Sequence, residues 1–511
     1  MRFPRLPAIQ RRLPTLLDRA LTVALVLGLA LPIWRFVSRL PARLSYPFEL
    51  EWMEGGIISH IHVVLAGEPL YVAPSLHFTP FIYTPFYYYV CAAVSKVVGE
   101  GYFAARLVSS TAILGCFVLL FWWVWRETRS ALAGFVAAGL FAATYHLSGR
   151  WFDIARADSL LVLLLLGGCV CGRLGRSVKA QCATGVLLAL AFFTKQSALS
   201  FALPVLLAAF ARSPRKGWLP AACFVGLSLL GIGLLQLSSH GWFYFYVFEL
   251  PAHHEVNWAV WREALMPFWS SLAPMVLSGI AVLFGLPLLS DGPRSWFASG
   301  LLVVCAAAGS VASLLHTGGY SNVLMPAFAA LAFASSLVVA RARGEAAPSR
   351  LRYRLLASAV VLLQLCLLSF GETPALPPRG DAEVGQQIID GMARLPGPLW
   401  CTTSNYYPML AGHPETFTHA VALVDVFKGT SSKFQNDLLA SIDRELRSGS
   451  IRTIVADRAY GFLPLNVVAL IHANYRRLGH LVPGREAAEV WPNTGAGVRP
   501  DEVWTHASSP Q

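Results

Sequence analysis

The sequence predicts a polytopic α-helical membrane protein of about eleven transmembrane helices, with interfacial helices in its first external loop and a C-terminal soluble α/β domain. Three observations carry that fold class. Of 511 residues, 55% are hydrophobic and only 13% charged, whereas a soluble domain carries about 25% charged residues. Apolar stretches of near-spanning length recur from residue 20 to residue 371. The net charge of +12 is also divided unevenly: residues 1–372 hold 28 Lys and Arg against 15 Asp and Glu, and residues 373–511 hold 12 against 13.

A bilayer core takes roughly 20 apolar residues per helix, and fewer in buried spans. On that measure the spans fall at about 20–38, 103–124, 131–147, 159–172, 181–194, 197–211, 219–237, 265–289, 296–314, 322–340 and 355–371. Arg2, Arg5, Arg11, Arg12 and Arg19 precede the first span and put the N-terminus in the cytoplasm. The cytoplasmic loops then hold 19 basic residues, ending in Arg341, Arg343, Arg350, Arg352 and Arg354, and the external loops hold at most eight. The basic excess lies beside apolar spans, so it reads as an orientation signal and not as a nucleic-acid surface. The first span has no A-x-A-like cleavage site and is expected to stay as an anchor.

Segment 81–98 is apolar enough to span, but counting it would move the five arginines of 341–354 outside. Pro85, the Tyr87–Tyr89 run and Lys96 suit a helix lying in the interface. Residues 39–102 are therefore read as one long external loop with membrane-hugging helices. An odd number of spans leaves 373–511 outside, which in a bacterial inner membrane means periplasmic. There a helix at 382–394, a strand at 399–403, a helix at 433–447 and a strand at 451–456 form a small α/β domain. Pro374, Pro377 and Pro378 mark the linker, giving domains 1–372 and 373–511. Of nine cysteines only Cys401 lies in this tail, so no internal disulfide forms there, and no CxxC metal spacing occurs.

The polar residues that topology does not explain gather on the external side. The first group is Glu49, Glu51, Glu54, His60 and His62. A helix beginning near Trp52 would project Glu51 and Glu54 about 60° apart on one face. Two carboxylates beside a bilayer persist if wet, paired or working, and Gly55 and Gly56 permit close backbone approach. The second group is Arg150, Asp153, Arg156 and Asp158, at the mouth of the fourth span. It reads either as a helix-end ion pair with an N-cap or as part of a site. In the third, Thr194-Lys195-Gln196, the lysine either snorkels to headgroups or holds a lipid phosphate as a point charge. The fourth, ELPAHHEVNWAVWRE at 249–263, contains His254 but lacks the second histidine of a metalloprotease motif. The fifth is the Gly-rich turn from His316 to Asn322, with Tyr320. No phosphate-binding Gly-rich loop and no GxSxG occurs, so neither ATP nor a dinucleotide is indicated.

In order along the chain, several segments resemble the GT-C superfamily of membrane glycosyltransferases, in the family-39-like branch of protein O-mannosyltransferases and aminoarabinose transferases. They are Glu54-Gly55, Gly67-Glu68-Pro69-Leu70-Tyr71, Thr84-Pro85-Phe86-Tyr87-Tyr88-Tyr89, Ala105-Arg106-Leu107, Asp153 with Asp158, and Phe193-Thr194-Lys195-Gln196. The resemblance covers roughly residues 20–340. It implies an inverting transferase that moves a sugar from a polyprenyl-phosphate donor to a lipid, glycan or protein hydroxyl on the external face. A carboxylate of the first loop would be the general base, and Lys or Arg would meet the leaving phosphate. Members carry an Asp-Glu pair where this chain has Met53-Glu54, which leaves Glu54, then Glu51, as base. Asp158 and Asp153 would orient the acceptor or link a metal. Lys195, with Arg150 or Arg156, would hold phosphate. The aromatic run with Tyr83 and Tyr87 would line the prenyl path, and His254, Tyr320 and Asn322 complete the implied substrate-binding set. No cofactor is implied beyond an optional divalent metal ion. The other class open to so many spans is a transporter or lipid flippase, which tends to show midplane charges and internal repeats; neither is clear in this chain.

Overall fold

The computed structural model describes residues 8–258, 266–283, 293–343, 351–369, 376–378, 380–457, 462–482, 492 and 494–508. Part of the predicted eighth span, the last two residues of the eleventh, Arg2, Arg5, Arg262, Arg350 and Pro374 lie outside these residues.

Every predicted span falls on a helix. In chain order these are α1 (Ala8–Leu44), α4 (Tyr102–Thr128), α5 (Ala131–Ala143), α6 (Asp158–Leu174), α7 (Val178–Thr194), α8 (Ala198–Arg212), α9 (Trp218–Ser238), α12 (Met266–Leu283), α13 (Pro293–Leu315), α14 (Met325–Arg343) and α15 (Leu351–Ser369). Six of them, α1, α4, α9, α13, α14 and α15, are long and apolar enough to cross a membrane, and the chain is an integral membrane protein. The other five have 13 to 18 residues. At 1.5 Å per residue they reach about 20–27 Å, short of a ~30 Å hydrocarbon core, so length alone does not make them spans.

The long external loop contains two helices, α2 (Glu54–Leu65) and α3 (Phe86–Val98), the second on the segment assigned to the interface. Between α9 and α12 the chain makes single turns α10 (Trp242–Tyr244) and α11 (Leu250–Ala252), joined by a π-helical turn over Phe245–Glu249. After α15 come α16 (Asp381–Ala393), β1 (Leu399–Cys401), α17 (Tyr406–Leu410), α18 (Ala420–Gly429), α19 (Ser432–Ser448), β2 (Thr453–Asp457), α20 (Leu465–Asn474), β3 (Tyr475–His480) and β4 (Pro500–His506). The sheet order is β1-β2-β4-β3, with β1 parallel to β2 and the other pairs antiparallel. The two predicted strands are β1 and β2. The two missed ones, β3 and β4, carry charged residues at Arg476, Arg477, Asp501 and Glu502, which hides the apolar alternation.

Two apolar cores hold the molecule. One joins α1, α4, α5 and α12 to α15 through residues such as Leu29, Phe117, Phe141 and Phe328. The other runs without a break from the first external loop (Phe48, Trp52, Ile57) through Phe192 and Tyr246 to Trp400, Ile454 and Val503 of the C-terminal sheet. The C-terminal residues thus share a core with the loop. Backbone pairing adds to this: Thr418 donates to Leu76 O at 2.7 Å and its hydroxyl to Ser75 O at 2.6 Å.

Buried ion pairs tie the helix ends. Arg43, in the last turn of α1, meets Asp153 through Nε at 2.5 Å and Nη2 at 3.0 Å, and Tyr145 adds its hydroxyl at 3.3 Å. At the other end of α1, Asp18 pairs with Arg354 and Arg343. Removing one partner of a buried pair costs about 3–5 kcal/mol, because the other charge is left without compensation. Arg43→Ala is expected to lower unfolding stability in detergent by that order, read as a drop in thermal midpoint against the unsubstituted protein.

Candidate active site

Three glutamates in six residues, Glu49, Glu51 and Glu54, are buried at the start of the external loop, and their surroundings separate them. The helix starts at Glu54 and not near Trp52, so Glu51 precedes it and the two do not share a helical face. Glu54 accepts from Arg106 Nε at 2.9 Å and Nη2 at 2.6 Å, and from the backbone N–H of Ala155 and Leu50 at 2.7 Å each. Burial alone would raise its pKa, but the Arg106 guanidinium and these donors hold it below the ordinary carboxylate value. Arg106 also donates to the carbonyls of Arg43, Tyr46 and Phe48.

Glu49 faces the C-terminal residues. One oxygen accepts the Gly55 N–H at 3.1 Å and the other shares a 2.8 Å hydrogen bond with the Ser404 hydroxyl. Burial lifts its pKa well above the usual value, Ser404 opposing and Glu54 and Glu51 adding to the rise. A Cβ on Gly55 would lie 2.4 Å from Glu49 Oε1 and 3.1 Å from Tyr406 N. The close approach that the glycine permits is therefore to the protein's own loops.

Glu51 is the carboxylate left with capacity. Its Oε2 accepts from Arg156 Nη1 and Met53 N, each at 3.2 Å, while Oε1 is buried with no hydrogen-bond partner among the described residues. Burial pushes its pKa up to about 7, with Arg156 opposing and Glu54 adding. Residues near the C-terminus roof it. Thr494 bridges Glu51 in parallel fashion and donates its N–H to Leu50 O at 3.2 Å. A Cβ on Gly495 (φ +79°) would stand 3.0 Å from Glu51 Oε1.

Arg156 extends this group to a cleft of about 280 Å³ lined by Tyr83, Tyr87, Tyr88, Asp158 and Lys195 among others. Its Nη2 donates to the Tyr83 hydroxyl at 3.1 Å. Lys195 Nζ donates to Asp158 Oδ1 at 2.7 Å, and Asn322 Nδ2 to the same oxygen at 2.9 Å. Lys195 closes α7 and Asp158 opens α6, so two helix ends set the pair. Tyr87 lines the cleft while its hydroxyl bonds Ala105 O and Ser109 Oγ.

The fold thus brings together Glu51, Glu54, Arg156, Asp158, Lys195, Tyr83, Tyr87 and Asn322. It does not bring Asp153, which is held by Arg43, or His254, which lies 3.4 Å from Asp425 and rests on His316. Arg150, at φ +61°, and Tyr320, whose ring lies tilted against Trp151 at 4.9 Å, are not among the residues lining the cleft. Arg106, Arg43, Tyr88 and Trp151 were not singled out as site residues from the sequence. A signal existed for Arg106: a cation five residues into an apolar helix needs a buried partner.

The environments make Glu49 and Glu54 respond differently to the same change. In Glu49→Gln the amide reproduces both hydrogen bonds of a neutral acid, so stability should move by less than about 1 kcal/mol. In Glu54→Gln the Arg106 charge loses its counterion, at a cost of about 3–5 kcal/mol. Thermal unfolding of the two variants side by side checks this.

No family profile and no curated protein matches the chain. Solved structures do. ArnT from Cupriavidus metallidurans bound to undecaprenyl phosphate aligns over 96% of this chain and 99% of its own, with TM-score 0.55 and 14% identity. The apo form of the same protein aligns over the same shares, with TM-score 0.54 and 14% identity. Likeness at that identity is likeness of architecture: the chain shares the fold of ArnT over nearly its whole length.

Proposed function

We propose that the protein transfers a sugar from a polyprenyl-phosphate donor to an acceptor hydroxyl, with inversion, on the external face of the membrane. The observation that carries this reading is Glu51: a buried carboxylate with one oxygen held by Arg156 and the other without a partner, next to a cleft with two cations. The likeness to ArnT, whose structure holds undecaprenyl phosphate, supports the donor class.

In this reading Glu51 is the base in place of Glu54, because Glu54 already accepts four close N–H donors and has nothing left to give an acceptor. The acceptor oxygen attacks the anomeric carbon while its proton passes to Glu51 Oε1. The bond from that carbon to the phosphate oxygen breaks, and the electron pair leaves with the polyprenyl phosphate. Lys195 and Arg156 meet the charge that develops there. Each carboxylate of the group faces a cation of the protein, and among the described residues no cluster of three His, Cys, Asp or Glu is arranged for a metal ion. Our reading therefore routes no step through the divalent ion that the resemblance left optional.

The prenyl chain has a place in this reading. An apolar cavity is lined by Val162, Leu165, Leu166 and Cys169 of α6, with Phe201, Leu302 and Phe333 opposite. Those α6 residues follow Asp158 at helical spacing, so they lie on the face below the cleft. Of the aromatic run, Phe81 packs on His60 and the Tyr87 hydroxyl is bonded to α4, while Tyr83, Tyr87 and Tyr88 line the cleft. The acceptor, whether lipid, glycan or protein, would reach Glu51 from outside, with the N-terminus cytoplasmic and residues from 373 on external.

Purified protein given an undecaprenyl-phosphate-linked sugar and an envelope acceptor tests the reading. Glu51→Gln should lower transfer by about 10²–10⁴-fold; full activity in that variant would remove the assignment. The base must be ionised, and Glu51 ionises at about 7. The rate should therefore fall about tenfold for each pH unit below that value and level off above it, read from a pH profile of kcat/KM.

A further inference from the structure

Buried polar atoms without a hydrogen-bond partner among the described residues gather around Arg156. Besides Glu51 Oε1 they include the Tyr88 hydroxyl and the Trp151 indole N–H. Tyr88 is 2% exposed and Trp151 is 3% exposed. The Arg156 guanidinium carbon lies 5.5 Å from the centre of the Trp151 ring and 5.6 Å from that of Tyr83. Tyr88 lines the same cleft as Tyr83, Asp158 and Lys195.

The Tyr88 ring is fixed while its hydroxyl is left open. The ring stacks on His60 at 4.9 Å. His60 is itself pinned, by Gly56 O at 2.6 Å on Nδ1 and by the Phe81 N–H at 2.8 Å on Nε2. A buried hydroxyl without a partner is costly, and one held rigidly at the wall of a cleft is set up for a ligand to complete.

The type of the open Tyr88 atom indicates which part of the donor it meets. A phenol both donates and accepts, and so do the hydroxyls of a sugar ring, whereas an ionised phosphate offers acceptors alone. Phosphate charge, moreover, already has Lys195 and Arg156.

We propose that the Tyr88 hydroxyl binds a hydroxyl of the donor's sugar ring and is a specificity-determining residue of the cleft. This rests on the transfer reading above and adds to it the part of the donor that Tyr88 contacts. The substrate class is a sugar with a free hydroxyl at the position Tyr88 meets.

The test uses full-length Tyr88→Phe, which removes a group that bonds nothing in the protein and should leave the thermal midpoint unchanged. Affinities are measured by ligand-dependent thermal shift for undecaprenyl phosphate and for undecaprenyl phosphate bearing a hexose or a pentose, with transfer assays in parallel. The expected result is about tenfold weaker binding of the sugar-bearing donor and a matching rise in KM, with undecaprenyl phosphate bound as before. Equal weakening for both lipids would mean that the hydroxyl meets the phosphate, and no change for either would mean that it meets no part of the donor; each overturns the proposal. Absence of transfer by the unsubstituted protein would count against the transfer reading alone, because the binding comparison still decides the role of Tyr88.

Discussion

The buried pair of Glu54 and Arg106 is the constraint from which the rest of the site follows. Both side chains are fully excluded from solvent. Coulomb attraction between two such ions does not by itself offset their desolvation. Saturation makes the arrangement tenable: the carboxylate takes two backbone N–H groups besides the guanidinium, and the guanidinium takes three carbonyls besides the carboxylate. One pair thereby gathers the end of α1, the stretch from Tyr46 to Leu50, the loop at Ala155 and the first turns of α4. Glu51 inherits its position from that junction.

Close carboxylates in one short stretch then come to differ through their neighbours alone. Glu54 has a full counterion and stays ionised. Glu49 has only neutral donors, and burial lifts its pKa well above the usual value. Glu51 has half of an arginine's attention and lies between the two. This is the usual way in which one kind of side chain is given different chemical tasks within a few ångströms. The apolar core that surrounds all three supplies the low dielectric on which the separation depends.

Helices were legible in the sequence because apolar length and loop charge act locally. Each predicted span lies on a helix, and α16, β1, α19 and β2 lie close to where periodicity puts them. The site was legible in its cast and only partly in its partnerships. Lys195 and Asp158 stand 37 positions apart and Arg156 and Glu51 stand 105 apart, separations that no local pattern encodes. Asp153 and Asp158 look alike in sequence, yet one is committed to Arg43 and the other to the cleft. Glu54 ranked above Glu51 because it stands where the resemblance puts the carboxylate of an Asp-Glu pair; the fact that separates them, which carboxylate has an oxygen to spare, belongs to packing.

The roof over Glu51 has a bearing on how the pocket is closed. Thr494 and Gly495 cover a residue that lies far from them in the sequence. Arg156, which reaches the same carboxylate, comes from a third stretch just ahead of α6. The pocket is thus a joint product of three separated segments, and none of them forms it alone. A change that loosens any one of the three would admit water to the carboxylate.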